Sequence, residues 1–303
     1  MDISLILTNL RNITLNTNFI NYENQHLCFS ACSFIYKLYS YRESKKQDKT
    51  EPVSTTVRLL EGDMPDPSVV RVGDTYYMVH SSFIYTPGLV IYSSKNLADW
   101  TPCSAALPEY TGDIWAPDIC VYGNRFYIYF PTRNEKGEKT NMVTWADSPE
   151  GPWSKPVDLK VGGIDPEHVV DEKGNRYLLL SAGDLHPLSA DGLSITGKPE
   201  IIYKGWEIPE EWDIESFSLE GLNVKKSHEW YYLLAAEGGT AGPPTGHMVV
   251  QARSKKAYTV LGENAPENPL LRTQSPQETW WSQGHGSVVD TPEGKLMPFF
   301  PWI

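Results

Sequence analysis

Residues 62–80 read Gly62-Asp63-Met64-Pro65-Asp66-Pro67-Ser68-Val69-Val70-Arg71-Val72-Gly73-Asp74-Thr75-Tyr76-Tyr77-Met78-Val79-His80. An acidic residue stands before a proline, a β-branched run follows, Gly73-Asp74 supplies a turn, and an aromatic pair opens a second run. This is the chemistry of a β-hairpin. The phrase returns as Ala116-Pro117-Asp118-Ile119 ahead of Phe126-Tyr127-Ile128-Tyr129, and as Asp165-Pro166 ahead of Tyr177-Leu178-Leu179-Leu180. A fourth copy is Leu219-Glu220-Gly221-Leu222 ahead of Tyr231-Tyr232-Leu233-Leu234, and a weaker fifth is Gly284-His285-Gly286-Ser287 ahead of Leu296-Met297. Between the polar heads at 66, 118, 165, 220 and 285 the spacings are 52, 47, 55 and 65 residues. A unit of about 50 residues made of hairpins, with no helical crossover, suits a propeller blade of about four strands. The expected fold is all-β, a five-bladed β-propeller.

The outer parts of the chain qualify that expectation. Only Ile303 follows the second strand of the fifth copy, so the fifth blade is expected to be incomplete at the C-terminus. Val53 to Leu60 is β-branched and is a candidate to supply a missing strand; otherwise an edge is left exposed. The propeller domain is therefore set at residues 53–303. Residues 1–52 are read as a leader and tether, poorly ordered and outside the repeat. Phe29-Ser30-Ala31-Cys32 has the small residues of a lipoprotein cleavage box. However, Asn21 to His26 is polar where an apolar segment should precede it, which favours a disordered leader. The apolar run from Leu27 to Tyr41 is interrupted by Lys37 and is too short for a membrane span.

Composition narrows the partners. A net charge of -12 on 303 residues repels phosphate backbones and excludes nucleic acid on electrostatic grounds. The 10 Trp and 17 Tyr supply the aromatic faces that a sugar cleft uses, although most will be core residues. Cys28, Cys32, Cys103 and Cys120 fit no zinc spacing. Cys103 and Cys120 are either bridged or, the favoured reading, free buried thiols.

In a propeller the innermost strand of each blade starts near the axis, so Asp66, Asp118, Asp165, Glu220 and His285 are expected at one end of the channel. Several carboxyls in a small volume force their pKa values apart, as acid/base chemistry requires. An Asp before a Pro also caps turns, and any single head can be read that way. Glu215 is a rival to Glu220, but Glu220 stands eleven residues before its aromatic pair, close to the ten that separate Asp66 from its own.

In this order, Gly62 to Ser68, Trp115-Ala116-Pro117-Asp118-Ile119, Ile164-Asp165-Pro166, Leu219-Glu220-Gly221 and Gly284-His285-Gly286 resemble the motif set of glycoside hydrolase family 43. The resemblance implies a five-bladed propeller acting as an inverting β-xylosidase or α-L-arabinofuranosidase. It makes Asp66 the general base, Glu220 the general acid and Asp118 the carboxylate that orients the acid and adjusts its pKa. His285 matches a channel histidine that in relatives lies beside calcium, so Ca2+ bound through water is expected there and no organic cofactor. Asp165 matches an Asp-Pro that is mainly structural. Phe83, Trp115 and Trp281 are candidates for sugar stacking and His80 for a polar contact. Two positions depart from the pattern: Leu222, where proline is usual, and Gln283, where relatives often carry Arg. The expected partner is an oligosaccharide or polysaccharide of the plant cell wall, and the expected location extracytoplasmic. A second reading is a catalytically impaired carbohydrate-binding homologue, motivated by the short fifth blade.

Overall fold

The computed structural model describes residues 2–8 and 54–302, apart from 134, 135, 241, 244, 258–262 and 295. Its strands are β1 (Asp2–Thr8) and β2 (Ser54–Leu60), then β3 (Ser68–Val72), β4 (Thr75–Val79), β5 (Gly88–Ser94) and β6 (Thr101–Leu107) of blade one. Blade two holds β7 (Asp118–Tyr122), β8 (Arg125–Arg133), β9 (Lys139–Ala146) and β10 (Val157–Asp158). Blade three holds β11 (Glu167–Val170), β12 (Arg176–Leu180), β13 (Asp184–Pro187) and β14 (Glu200–Ile201). Blade four holds β15 (Leu219–Ser227), β16 (Trp230–Glu237), β17 (Met248–Ser254) and β18 (Glu263–Asn264), and β19 (Ser287–Asp290) and β20 (Leu296–Trp302) follow. They form five four-stranded sheets, the last in the order β19-β20-β1-β2, and every strand pairing is antiparallel.

The hairpins form where the sequence places them. Gly73 and Gly123 open two-residue turns with φ of +62° and +63°, a backbone that glycine adopts without a Cβ clash. Middle strands are covered on both faces by neighbouring blades, so β8 is buried continuously from Phe126 to Thr132.

The C-terminal segment supplies only two strands of blade five, as expected. Ser54–Leu60 does join this sheet, but through β1, which pairs with β20 on one side and β2 on the other. Asp2–Thr8 thus lies inside a blade, whereas the sequence reading placed it in the leader. The cleavage-box motif, Cys28, Cys32 and the charged tether fall in 9–53, outside the described residues. Cys103 and Cys120 are free thiols.

The core is a ring of apolar seams. Val79, Leu89 and Ile91 of blade one meet Ile119, Ile128 and Phe130 of blade two. Tyr129 and Val143 meet Leu178 and Leu180, and Leu179 and Leu185 meet Leu222, Leu233 and Val250. Leu234 and Val249 meet Val288 and Phe300, and Val289 and Phe299 close on Val69 and Met78 of blade one.

A second ring of hydrogen bonds runs around the axis. The first residue of β3, β7, β11 and β19, and Asn223 in β15, each accepts from a backbone N–H of the next blade. Ile119 N donates to Ser68 Oγ at 3.0 Å, His168 N to Asp118 Oδ2 at 2.9 Å, and Val224 N to Glu167 Oε1 at 3.0 Å. Val288 N donates to Asn223 Oδ1 at 3.3 Å and Val69 N to Ser287 Oγ at 3.2 Å, which returns to blade one. Asn223 also donates to Glu167 Oε2 at 3.1 Å. Asn223→Ala would strand the Val288 N–H and one oxygen of Glu167 in a buried site, at a cost of about 1–3 kcal/mol. The expected result is a lower urea midpoint with an unchanged slope; an unchanged midpoint would mean that the latch contributes nothing.

Candidate active site

Above the ring of latches lies a second tier. Two residues before four of the five latch residues the chain takes a left-handed conformation: Asp66 at φ +59°, Asp165 at +55°, Gly221 at +55° and His285 at +56°. For non-glycine residues this backbone is costly and clusters at functional sites. Blade two has Ala116 at this position. Gly221 is required where it stands, because a Cβ there would come 2.7 Å from His285 Cγ.

The polar groups of this tier are held in three hydrogen-bonded sets that act on one another electrostatically. Asp66 Oδ1 lies 3.2 Å from His285 Nδ1, and its Oδ2 accepts from Ser81 Oγ at 2.5 Å. Asp165 Oδ2 accepts from Ser181 Oγ at 2.7 Å and from Gly221 N at 3.0 Å. Glu220, the neighbour of Gly221, accepts from Thr240 Oγ1 at 3.0 Å through Oε2. Burial raises the Glu220 pKa, and the negative charges of Asp165 and Asp66 raise it further against the opposing pull of Thr240 and His285. Burial alone would lower the His285 pKa, yet Asp66, Asp165 and Glu220 together hold it above its ordinary value and favour the imidazolium. One carboxyl biased towards its protonated form and a second hydrogen-bonded at both oxygens is an arrangement suited to acid/base chemistry.

Asp66, Glu220 and His285 are thus brought together as the sequence reading expected. Asp118 is not. It is a latch residue one tier lower, accepting from Ser68 Oγ at 2.9 Å through Oδ1 and from His168 N through Oδ2. The strongest charge acting on Glu220 is that of Asp165, a carboxylate at a position the sequence marks as mainly structural. The reason is register: in blades one and three the Asp precedes the proline, whereas Asp118 follows Pro117 and so falls two residues further along the strand.

The candidate sugar contacts differ in placement. Phe83 is half-buried and pairs with Ile114, its N–H donating to the Ile114 carbonyl at 2.8 Å. Trp115 is half-buried with Arg133 5.4 Å and Lys139 5.7 Å from its ring. Trp281 is half-buried and donates through Nε1 to the Glu278 carbonyl at 2.9 Å. His80 is buried inside blade one, 5.7 Å from the Tyr92 ring, with Nδ1 2.6 Å from the Ser81 carbonyl. It is not the open polar contact that its place at a strand end suggested. Glu215 is exposed, and its N–H donates to the Gly238 carbonyl.

Four residues near the cluster escaped sequence reasoning: Ser81, Ser181, Thr240 and His247. His247 is buried under Gly284, where a Cβ would come 2.5 Å from its Cδ2, and burial pushes its pKa down to about 4. Hydroxyls just beyond a second strand were the available signal for the first three.

Calcium takes six to eight oxygen ligands. Among the described residues no three His, Cys, Asp or Glu side chains converge to hold a metal, and Asp118 and Glu167 spend their oxygens on the latches. The residues present do not fit a directly ligated calcium.

Five four-stranded antiparallel sheets, with Asp66, Asp165 and Glu220 all acting on His285, describe a five-bladed propeller whose acidic heads converge, and sequence comparison agrees. The family model described as glycosyl hydrolases family 43 matches residues 56–300; the chain belongs to this family. It is 30% identical over 274 residues to a xylan 1,3-beta-xylosidase of a Vibrio species, covering 80% of this chain and 49% of that protein. It is also 30% identical to xylosidase/arabinosidase 43B of Humicola insolens, covering 78% and 47% of the two chains. Among solved structures it resembles the GH43 protein BlXynB of Bacillus licheniformis, with 34% identity and a TM-score of 0.71 over 80% of this chain and 49% of that one. The chain spans about half the length of these relatives.

Proposed function

We propose that this chain is the catalytic propeller of an inverting hydrolase of pentose glycosides, a β-xylosidase or α-L-arabinofuranosidase acting on plant cell-wall polysaccharide. Glu220 protonates the leaving oxygen and Asp66 activates water on the opposite face of the sugar, the division of labour that inversion requires. Asp165 takes the part of raising the acid's pKa, in place of Asp118. The observation that carries this reading is the Glu220 carboxyl, half-withdrawn from water and pushed towards its protonated form beside Asp165. The relatives' names, xylosidase and arabinosidase, support the substrate class. Among the described residues no helix is long and apolar enough to cross a membrane. Because polymeric pentosans do not cross membranes, the proposal places the enzyme outside the cytoplasm.

A panel of nitrophenyl pentosides tests the activity. Release above blank on a β-xyloside or an α-L-arabinofuranoside supports it, whereas sugar affinity without release favours the impaired homologue.

The assignment of Asp165 has its own signature. Activity requires protonated Glu220, so it falls as pH rises through the Glu220 pKa. Asp165→Asn removes the neighbouring negative charge, lowers that pKa, and moves the basic limb of the kcat/KM profile to lower pH. Asp118→Asn leaves this limb in place while lowering the unfolding midpoint. The opposite pattern would return the role to Asp118.

A further inference from the structure

The hydroxyls of Ser81 and Ser181 occupy one repeated position. Ser68 pairs with Val79 across β3 and β4, and Glu167 with Leu179 across β11 and β12. Counting two residues back on the first strand and two forward on the second puts Asp66 opposite Ser81 and Asp165 opposite Ser181. The backbone is fixed alike in both blades: Ser81 N donates to the Pro65 carbonyl and Ser181 N to the Ile164 carbonyl, each at 3.0 Å. Each serine thus hydrogen-bonds the carbonyl just before the head residue with its N–H, and the head carboxylate with its hydroxyl.

The other blades act as internal controls. Asp118 pairs with Tyr129 and Ser287 with Phe299, so the same count puts Pro131 opposite Ala116 and Pro301 opposite His285. Where the head is not a carboxylate, the opposing position carries no hydroxyl. In blade four the register shifts between Glu220 and Asn223, and Thr240, further along the chain, supplies the donor to Glu220. A turn-capping role common to all blades does not account for this distribution.

Ser81 is wholly buried, so water does not replace its hydroxyl at Asp66. His80 backs it: burial lowers the imidazole pKa, and the neutral ring donates from Nδ1 to the Ser81 carbonyl.

We propose that Ser81 and Ser181 are positioning residues for the hydrolytic reaction, Ser81 holding the general base Asp66 aimed at its water and Ser181 holding Asp165 turned towards Glu220. The proposal rests on the assignment of Asp66 and Glu220 made above. It gives the two serines different kinetic signatures. Ser81→Ala frees the base to swing away from its water and lowers kcat about tenfold or more, on good and poor leaving groups alike, with KM and the basic limb of the pH profile unchanged. Ser181→Ala frees Asp165 to turn away from Glu220, so that its charge raises the Glu220 pKa less and the basic limb moves down, in the same direction as Asp165→Asn but by less. Ser181→Thr, which keeps a hydroxyl at a half-buried site, restores the basic limb.

The measurement is kcat and KM against pH on nitrophenyl and dinitrophenyl pentosides for the full chain and these variants, with unfolding midpoints recorded alongside to separate lost fold from lost positioning. A basic limb unmoved in Ser181→Ala, or a Ser81→Ala loss that falls on KM or only on poor leaving groups, overturns the proposal in favour of a purely structural role. Asp66→Asn, run in parallel, separates the levels. Wild-type turnover in that variant defeats the base assignment and the role of Ser81 with it. An inactive Asp66→Asn beside a Ser81→Ala with wild-type kcat defeats the positioning proposal alone.

Discussion

Glu220→Gln is expected to reduce hydrolysis of glycosides with sugar or alkyl leaving groups by about 10²–10⁴-fold while leaving dinitrophenyl glycosides close to wild type. An amide has no proton to give to the departing oxygen, so the loss scales with how much the leaving group needs one. A dinitrophenolate departs unprotonated; an alkoxide does not. Glutamine keeps the shape of the side chain and can still accept from Thr240 Oγ1, which lies 3.0 Å from Oε2, so a general collapse of the site is not expected. The variant should also lose the basic limb of its pH profile, because the group whose deprotonation creates it is gone. Comparable losses on both substrate classes would remove Glu220 from the role of acid.

Asp66→Asn is expected to cost at least as much, about 10³-fold or more, but evenly across leaving groups. The carboxylate is needed to take the proton of the attacking water, and that step is independent of what departs. Its two oxygens are held by Ser81 and by His285 at 2.5 and 3.2 Å. Asparagine retains an acceptor for Ser81 but gives up the charge that faces the imidazolium. In this variant His285 loses the strongest of the charges that sustain its raised pKa, so an imidazole titration followed by NMR should move down. A loss confined to poor leaving groups would make Asp66 an accessory of the acid and not the base.

The propeller could be read in the sequence because each blade begins with the same hairpin phrase, and the apolar seams between blades require that repetition. Glu220 could be told from Glu215 by its interval to the aromatic pair. Register was harder. Asp118 stands eight residues before Phe126, while Asp66 stands ten before Tyr76, and those two residues put the side chains in different tiers of the channel. Reading Pro-Asp as equivalent to Asp-Pro set Asp118 at the position that the structure gives to Asp165.

Two other features depended on contacts that a linear reading does not supply. Asp2–Thr8 is separated from β2 by more than forty residues and finds its place between two strands from opposite ends of the chain, so nothing local marks it as part of a blade. His80 stands just past β4 in a run from Met78 to Ser82 that is buried throughout, so the alternation that would mark it as outward or inward is missing. The hydroxyls of Ser81 and Ser181 become meaningful once the cross-strand register is known.

The central claim is that carboxyls from blades one and four act on opposite faces of one sugar in a single displacement. Proton NMR of the pentose first released from an aryl glycoside, recorded before mutarotation, tests it most directly. The account predicts that the anomer of inverted configuration appears first and the other grows in by mutarotation; a first-formed product of retained configuration would contradict it.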